Sequence, residues 1–255
     1  GLLRAREADA LAIEAAISGH IASIQIRQGS VLEARRNSEA EMDTMGRAGM
    51  VKGSLRNRLR LARCLELLGE LKECADMLES EAPPVEDPAS AVGFLSYRSQ
   101  IKLLQGRLRG ASEDAEAAVR LATRGPGRFL ADALLQRVGY HLATTDVAAA
   151  ASDLEGAKRA SESAEGVHRP FEDALLAYSQ ALILVLKGEP DRGVAPAEAA
   201  GLIFERGSHE IFASQARLLA ARCLARTDSA ASDRLAARVE AFARERSLLP
   251  LHVQA

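Results

Sequence analysis

A chain of 255 residues, 47% of them hydrophobic, is long enough to bury a core as one large domain or two ordinary ones. Its 33 basic and 35 acidic side chains leave a formal net charge of -2. That argues against a generalised binder of nucleic acid or membrane surfaces, while leaving room for a local basic patch. Aromatic residues make up 4% with no Trp, and Ala, Leu, Arg and Glu dominate, so an all-α fold is expected.

In chain order, apolar periodicity and its interruptions predict helices at 4–28, 30–48, 54–68, 70–81, 89–105, 111–124, 128–144, 147–166, 171–187, 191–206, 209–226 and 229–247. The clearest pair is RLRLARCLELLGELKECADMLESE, Arg58 to Glu81. Leu59, Ala62, Leu65 and Leu68 form one stripe, Gly69 breaks it, and Leu71, Cys74, Ala75 and Leu78 begin another. Around Gly69 stand Ala62, seven residues before, and Cys74, five after. The same frame fits Gly29 (Ala22, Ala34), Gly106 (Ser99, Ala111) and Gly188 (Ala181, Gly193), and more weakly Asp146 (Gly139, Ala151) and Thr227 (Ala220, Ser232). The markers are 40, 37, 40, 42 and 39 residues apart. A two-helix unit of this period predicts a helical solenoid of six repeats, spanning 4–48, 54–81, 89–124, 128–166, 171–206 and 209–247 of a single domain. Small residues recur where two helices must approach closely, and larger ones fill the grooves beside them. GMVKG at 49–53, APPVEDP at 82–88, RGPG at 124–127 and the Arg169-Pro170 step mark the passage from one unit to the next.

Little in this pattern points to catalysis. The five histidines (His20, His141, His168, His209, His252) are scattered, and His209-Glu210 lacks a second histidine one turn on, because Ala213 stands there. No Lys-Ser or Lys-Thr follows a glycine loop. Cys64, Cys74 and Cys223 form neither a CxxC nor an even set, so neither a disulfide framework nor a zinc site is suggested and a reducing cytoplasm is expected. Cys64 and Cys74 flank Gly69 symmetrically, which reads either as two small buried interface residues or as a redox contact. The longest apolar run, Ala174 to Leu186, has 13 residues and two polar interruptions, too short to span a bilayer. The opening Gly and the uncovered closing stretch LLPLHVQA lead to the expectation of a segment of a longer protein. No enzyme activity, cofactor or metal is expected.

The stretches LARCLELLGELKECADML, YRSQIKLLQGRLRGASEDAEAAVRLA and AYSQALILVLKGEPDRGVAPA resemble tetratricopeptide repeats in their small-residue and turn-glycine spacing. The longer unit is similar to arrays in bacterial LuxR-type signal-transduction ATPase regulators and beside CHAT peptidase domains. AAGLIFERGSHEIFASQARLLAARCLA and AFARERSLLPL are similar to those arrays too. The fourth and sixth units depart from the family in lacking the turn glycine. The resemblance implies a right-handed α-solenoid whose first helices line a concave, partner-binding face.

Carried onto this chain, the family's concave positions are Arg56, Leu59, Arg63 and Glu66 in the second unit, Ser96 and Gln100 in the third, and Gln136 and Tyr140 in the fourth. Leu175, Tyr178, Leu182, Ser214 and Arg217 follow in the last two. The resemblance thus implies a non-catalytic interaction or scaffold module of a bacterial regulatory protein, binding a peptide or flanking domain rather than nucleic acid or membrane. Arg56, Arg60 and Arg63 favour an acidic element. Two other classes stay open: a ligand-sensing domain of a transcriptional regulator, with a deep pocket, and a repeat region that regulates a CHAT-type peptidase.

Overall fold

A computed structural model of the chain describes residues 2–48, 55–80, 83, 87–163, 169–246 and 248. Among them are twelve α-helices and no strand: α1 (Leu2–Arg27), α2 (Val31–Arg47), α3 (Leu55–Leu67), α4 (Leu71–Glu79), α5 (Pro88–Leu104), α6 (Leu108–Ala122), α7 (Gly127–Ala143), α8 (Val147–Ser163), α9 (Pro170–Leu186), α10 (Pro190–Arg206), α11 (Glu210–Leu224) and α12 (Ser229–Glu245). Each predicted helix is present, its ends within three residues of the expected ones. The linker readings at 49–53 and over most of 82–88 fall outside the described residues. Pro88, Pro170 and Pro190 open α5, α9 and α10, where a residue without an N–H loses nothing. Asp87 caps α5 by accepting from the Ala89 and Ser90 amides at 3.1 and 3.3 Å.

The helices pack as consecutive antiparallel pairs. Every helix lies against its neighbours in sequence, and the odd-numbered helices also touch one another in order, α1 to α3 and so on to α11. The odd helices therefore form an inner layer and the even ones an outer layer.

Turn chemistry explains why the hairpins close. Gly29, Gly69, Gly106 and Gly188 all sit at φ between +74° and +81°. In each case the following amide reaches back to a carbonyl five residues earlier, for example Glu70 N–H to Leu65 O at 2.8 Å, while the glycine amide bonds three back. This double closure needs a left-handed residue, for which glycine has no steric cost.

The fourth turn corrects the sequence reading. Thr145, at φ +59°, is the left-handed residue rather than Asp146, with Asp146 N–H bonded to His141 O at 2.8 Å. The close-packing pair therefore moves by one residue. Val138 and Ala150 are fully buried there, whereas Gly139 is exposed and a Cβ on it would meet nothing within 4 Å. Ion pairs confirm the register. Arg98 grips Asp114 through two hydrogen bonds, at 2.8 and 2.7 Å, and Arg137 grips Asp153 through two at 2.7 Å. The two pairs lie 39 residues apart, as Gly106 and Thr145 do. Ser208, at φ +57°, closes the α10–α11 turn in the same way.

Small residues occupy the expected contacts. Cys74 S–H donates to the Ala62 carbonyl at 3.3 Å, and Ser99 O–H to the Ala111 carbonyl at 2.7 Å. A Cβ on Gly193 would stand 3.4 Å from the Ala181 carbonyl and 2.9 Å from Cys223 Sγ. Ala220 and Ser232 are likewise buried.

The first and last hairpins meet. Ala22, Val31, Ala34, Cys64 and Leu67 share one apolar cluster with Ile211, Ala243 and Leu248, and Phe242 packs against it. Arg246 donates to the Ser30 hydroxyl at 2.9 Å across 216 residues of sequence. A Cβ on Gly29 would lie 2.9 Å from the Phe242 ring, whereas one on Gly106 would meet nothing. Gly106→Ala is therefore expected to cost only the left-handed strain, about 1–2 kcal/mol. Gly29→Ala adds displacement of Phe242 and should cost roughly twice that. Urea denaturation of the two variants checks this, and equal losses would argue against the seam.

Candidate functional site

Where the inner layer wraps round, α3, α5, α7, α9 and α11 surround a cleft of 410 Å³. Its apolar wall comprises Leu67, Leu71, Leu104, Phe171, Leu175, Phe212 and Leu248, and its polar groups are Arg63, Glu66, Tyr97, Gln100, Gln136 and Gln215. Phe171 and Phe212 belong to an aromatic cluster with Phe204 and His209, ring centroids 4.5–6.4 Å apart. Burial and the nearby Arg27 hold the His209 imidazole below its ordinary pKa, which keeps it an uncharged member of that cluster.

Glu66 organises the polar side. It is 8% exposed, and its carboxylate accepts from Arg63, from the Tyr97 hydroxyl at 2.8 Å and from Gln100 Nε2 at 3.0 Å. Arg63 also lies over the Phe212 ring, 5.5 Å from its centroid, and so ties α3 to α11 across the seam. Burial opposes the Arg63 charge, but Glu66 and Tyr97 outweigh it and raise the guanidinium pKa. Burial, and then Glu66, push the Tyr97 hydroxyl well above its ordinary value. Arg63 is therefore charged yet compensated. Among the described residues the side-chain amides of Gln136 and Gln215 have no hydrogen-bond partner, which leaves them available to a ligand.

The expected binding residues do not all meet. Arg63, Gln100 and Gln136 converge on the cleft. Arg60 turns away from it to a nearly buried ion pair with Glu41 and a 2.9 Å hydrogen bond to Ser23, and the exposed Arg56 lies beside that pair in a shallow pocket against α1. Arg217 faces α10, at 2.7 Å from Glu205 in an ionic contact without hydrogen-bond alignment. Tyr178 packs between the two apolar clusters of the last hairpins. Tyr140 stacks edge-on to His141, 5.5 Å between centroids. Phe171, Phe212, Gln215 and Tyr97 escaped the sequence reading. The signal for the first two was the gathering of Phe171, Phe204 and Phe212 in a chain with six Phe in all.

Among the described residues no three His, Cys, Asp or Glu side chains are placed to hold a metal ion. Cys64 and Cys74 belong to separate clusters, each a free thiol that burial pushes up to about 12. A thiol held protonated in this way is a packing residue rather than a nucleophile. No helix of the described residues is long and apolar enough to cross a membrane. On α1, Ile13, Ile17, Ile21 and Ile24 form an exposed apolar stripe at helical spacing. No protein-family model matches the chain, and no curated protein does.

Proposed function

We propose that the chain is a non-catalytic interaction module, a tetratricopeptide-like right-handed solenoid of six repeats that works in the cytoplasm of a bacterium and holds a peptide segment on its inner face. That segment belongs to a partner or to flanking sequence of the same protein. One observation carries the reading: the inner-layer cleft joins an apolar wall to unpaired side-chain amides. This is the pairing a peptide needs, because an apolar side chain fills the wall side while the amides meet the backbone. Of the arginines that suggested an acidic partner, Arg60 and Arg63 are spent on Glu41 and Glu66, and Arg56 lies outside the cleft. The favoured segment is therefore apolar and uncharged where it touches the cleft.

The test is a pool of N-acetylated, C-amidated heptapeptides with a central Phe or Leu, screened by fluorescence anisotropy. Leu104 is 52% exposed at the cleft, so Leu104→Trp fills the space without disturbing the core. Selected peptides should bind wild type and lose at least about tenfold to this variant, while Leu202→Trp on the outer layer changes nothing. No binding by any peptide of the pool would refute the proposal.

A second reading has support of its own. The volume of the cleft falls in the range of small-molecule sites, and the seam between the first and last hairpins bounds it. A ligand-sensing domain of a regulator would use the same space, and would show itself as thermal stabilisation by a metabolite rather than by peptides.

A further inference from the structure

The cleft does not end at Gln100. A second lobe of 240 Å³ shares Tyr97, Gln100 and Gln136 with the first and continues along α5 and α7 past Val92, Ser96 and Phe129. Ser96 is 6% exposed, and its hydroxyl has no hydrogen-bond partner. Three other serines of these helices find a carbonyl, Ser23 that of Gly19 at 2.9 Å, Ser38 that of Ala34 at 2.8 Å and Ser99 that of Ala111 at 2.7 Å. A buried hydroxyl that lacks this bond destabilises the fold unless something in the lobe supplies a partner.

Gln100 lies one turn beyond Ser96, on the same face of α5. A carboxylate only accepts, so the bond from Gln100 Nε2 to Glu66 fixes the amide and leaves Gln100 Oε1 as the atom offered to the lobe. Gln136, exposed on α7, borders both lobes.

We infer that the second lobe reads the backbone of the bound segment. This inference rests on the cleft being a peptide site. A peptide N–H donates to Gln100 Oε1, a neighbouring carbonyl accepts from Ser96 Oγ, and Gln136 meets the backbone from α7. The apolar side chain of the segment occupies the first lobe. Because Glu66 is already engaged by three donors, the segment gains nothing from a positive charge there, and because Arg63 is paired it gains nothing from a negative one. The site selects an extended, uncharged stretch with a free backbone N–H beside its apolar anchor, and it rejects proline at that N–H.

The experiment takes the tightest heptapeptide of the pool and replaces each backbone amide in turn by an ester, which removes one N–H and leaves the shape. One ester position should lose about tenfold on wild type and lose nothing further on Gln100→Met, as a double-mutant cycle requires. Ser96→Ala should weaken the peptide about fivefold while leaving the free protein as stable as wild type or more so, since the unpaired hydroxyl is gone. If the peptide binds and Leu104→Trp blocks it, but no ester position couples to Gln100 and Ser96→Ala has no effect, the lobe holds water only and the inference is overturned, with the proposed function intact. If no peptide binds, both fall.

Discussion

Glu66→Ala should lower the unfolding free energy by about 3 kcal/mol and turn the cleft from a neutral site into one that prefers acidic peptides. Both effects have one cause. Glu66 is the shared acceptor for Arg63, Tyr97 and Gln100, so its removal strands three donors at once, one of them a guanidinium largely shielded from water. The stranded Arg63 then faces the cleft with its charge uncompensated, and a carboxylate on the peptide beside the Phe anchor is the natural replacement for the lost one. Urea denaturation measures the first effect, and the affinity ratio of an Asp-containing heptapeptide to its Asn counterpart measures the second. The ratio should rise by about tenfold or more over wild type. An unchanged ratio would mean that Arg63 does not address the cleft.

Arg60→Met should cost a similar amount, about 3 kcal/mol, without weakening the peptide. Arg60 and Glu41 are 9% and 5% exposed at their side chains and bridge α3 to α2 away from the cleft. Loss of one partner leaves a buried charge unpaired, whereas loss of both as Arg60→Met with Glu41→Leu removes the desolvation cost as well. The double variant should therefore recover most of the stability. The pH dependence has a definite sign. Burial lifts the Glu41 carboxyl above its ordinary value even against the pull of Arg60. A raised folded-state pKa gives stability that is full below the unfolded value, near pH 4, and falls as pH rises through the raised one. Without Arg60 the folded value climbs further, so the deficit of Arg60→Met should be largest at pH 7 and shrink toward pH 4. A deficit independent of pH would show that Glu41 is not the group left exposed to the loss.

Much of the fold was legible because the repeat is local. A turn glycine, with small residues seven before and five after, imposes its own geometry, and four glycines declared it. The fourth turn was misplaced by one residue because Thr145 takes a left-handed conformation that β-branched residues seldom adopt, while Asp146 beside it looks more like a turn residue. The site was legible only in part. Position within the repeat sufficed to place Arg63, Gln100 and Gln136 on the inner face. It did not place the partners of Arg60 and Glu66, since Glu41 lies 19 residues from Arg60, and Tyr97 and Gln100 reach Glu66 from the next hairpin, 31 and 34 residues on. The seam is further still from local inference. It arises from the packing of all the helices in turn, which no single stretch of sequence encodes, and it brings Ser30 to Arg246 and Leu248 into the cleft.

Methyl-labelled leucine NMR of the chain with its tightest heptapeptide tests the central claim most directly. The claim is that the inner cleft, bounded by the meeting of the first and last hairpins, is where a peptide binds. The methyl resonances of Leu67, Leu71, Leu104, Leu175 and Leu248 should shift together on titration, while those of the exposed outer-layer residues Leu32, Leu108 and Leu202 stay in place. Shifts confined to the outer leucines, with the cleft methyls unmoved, would contradict the account.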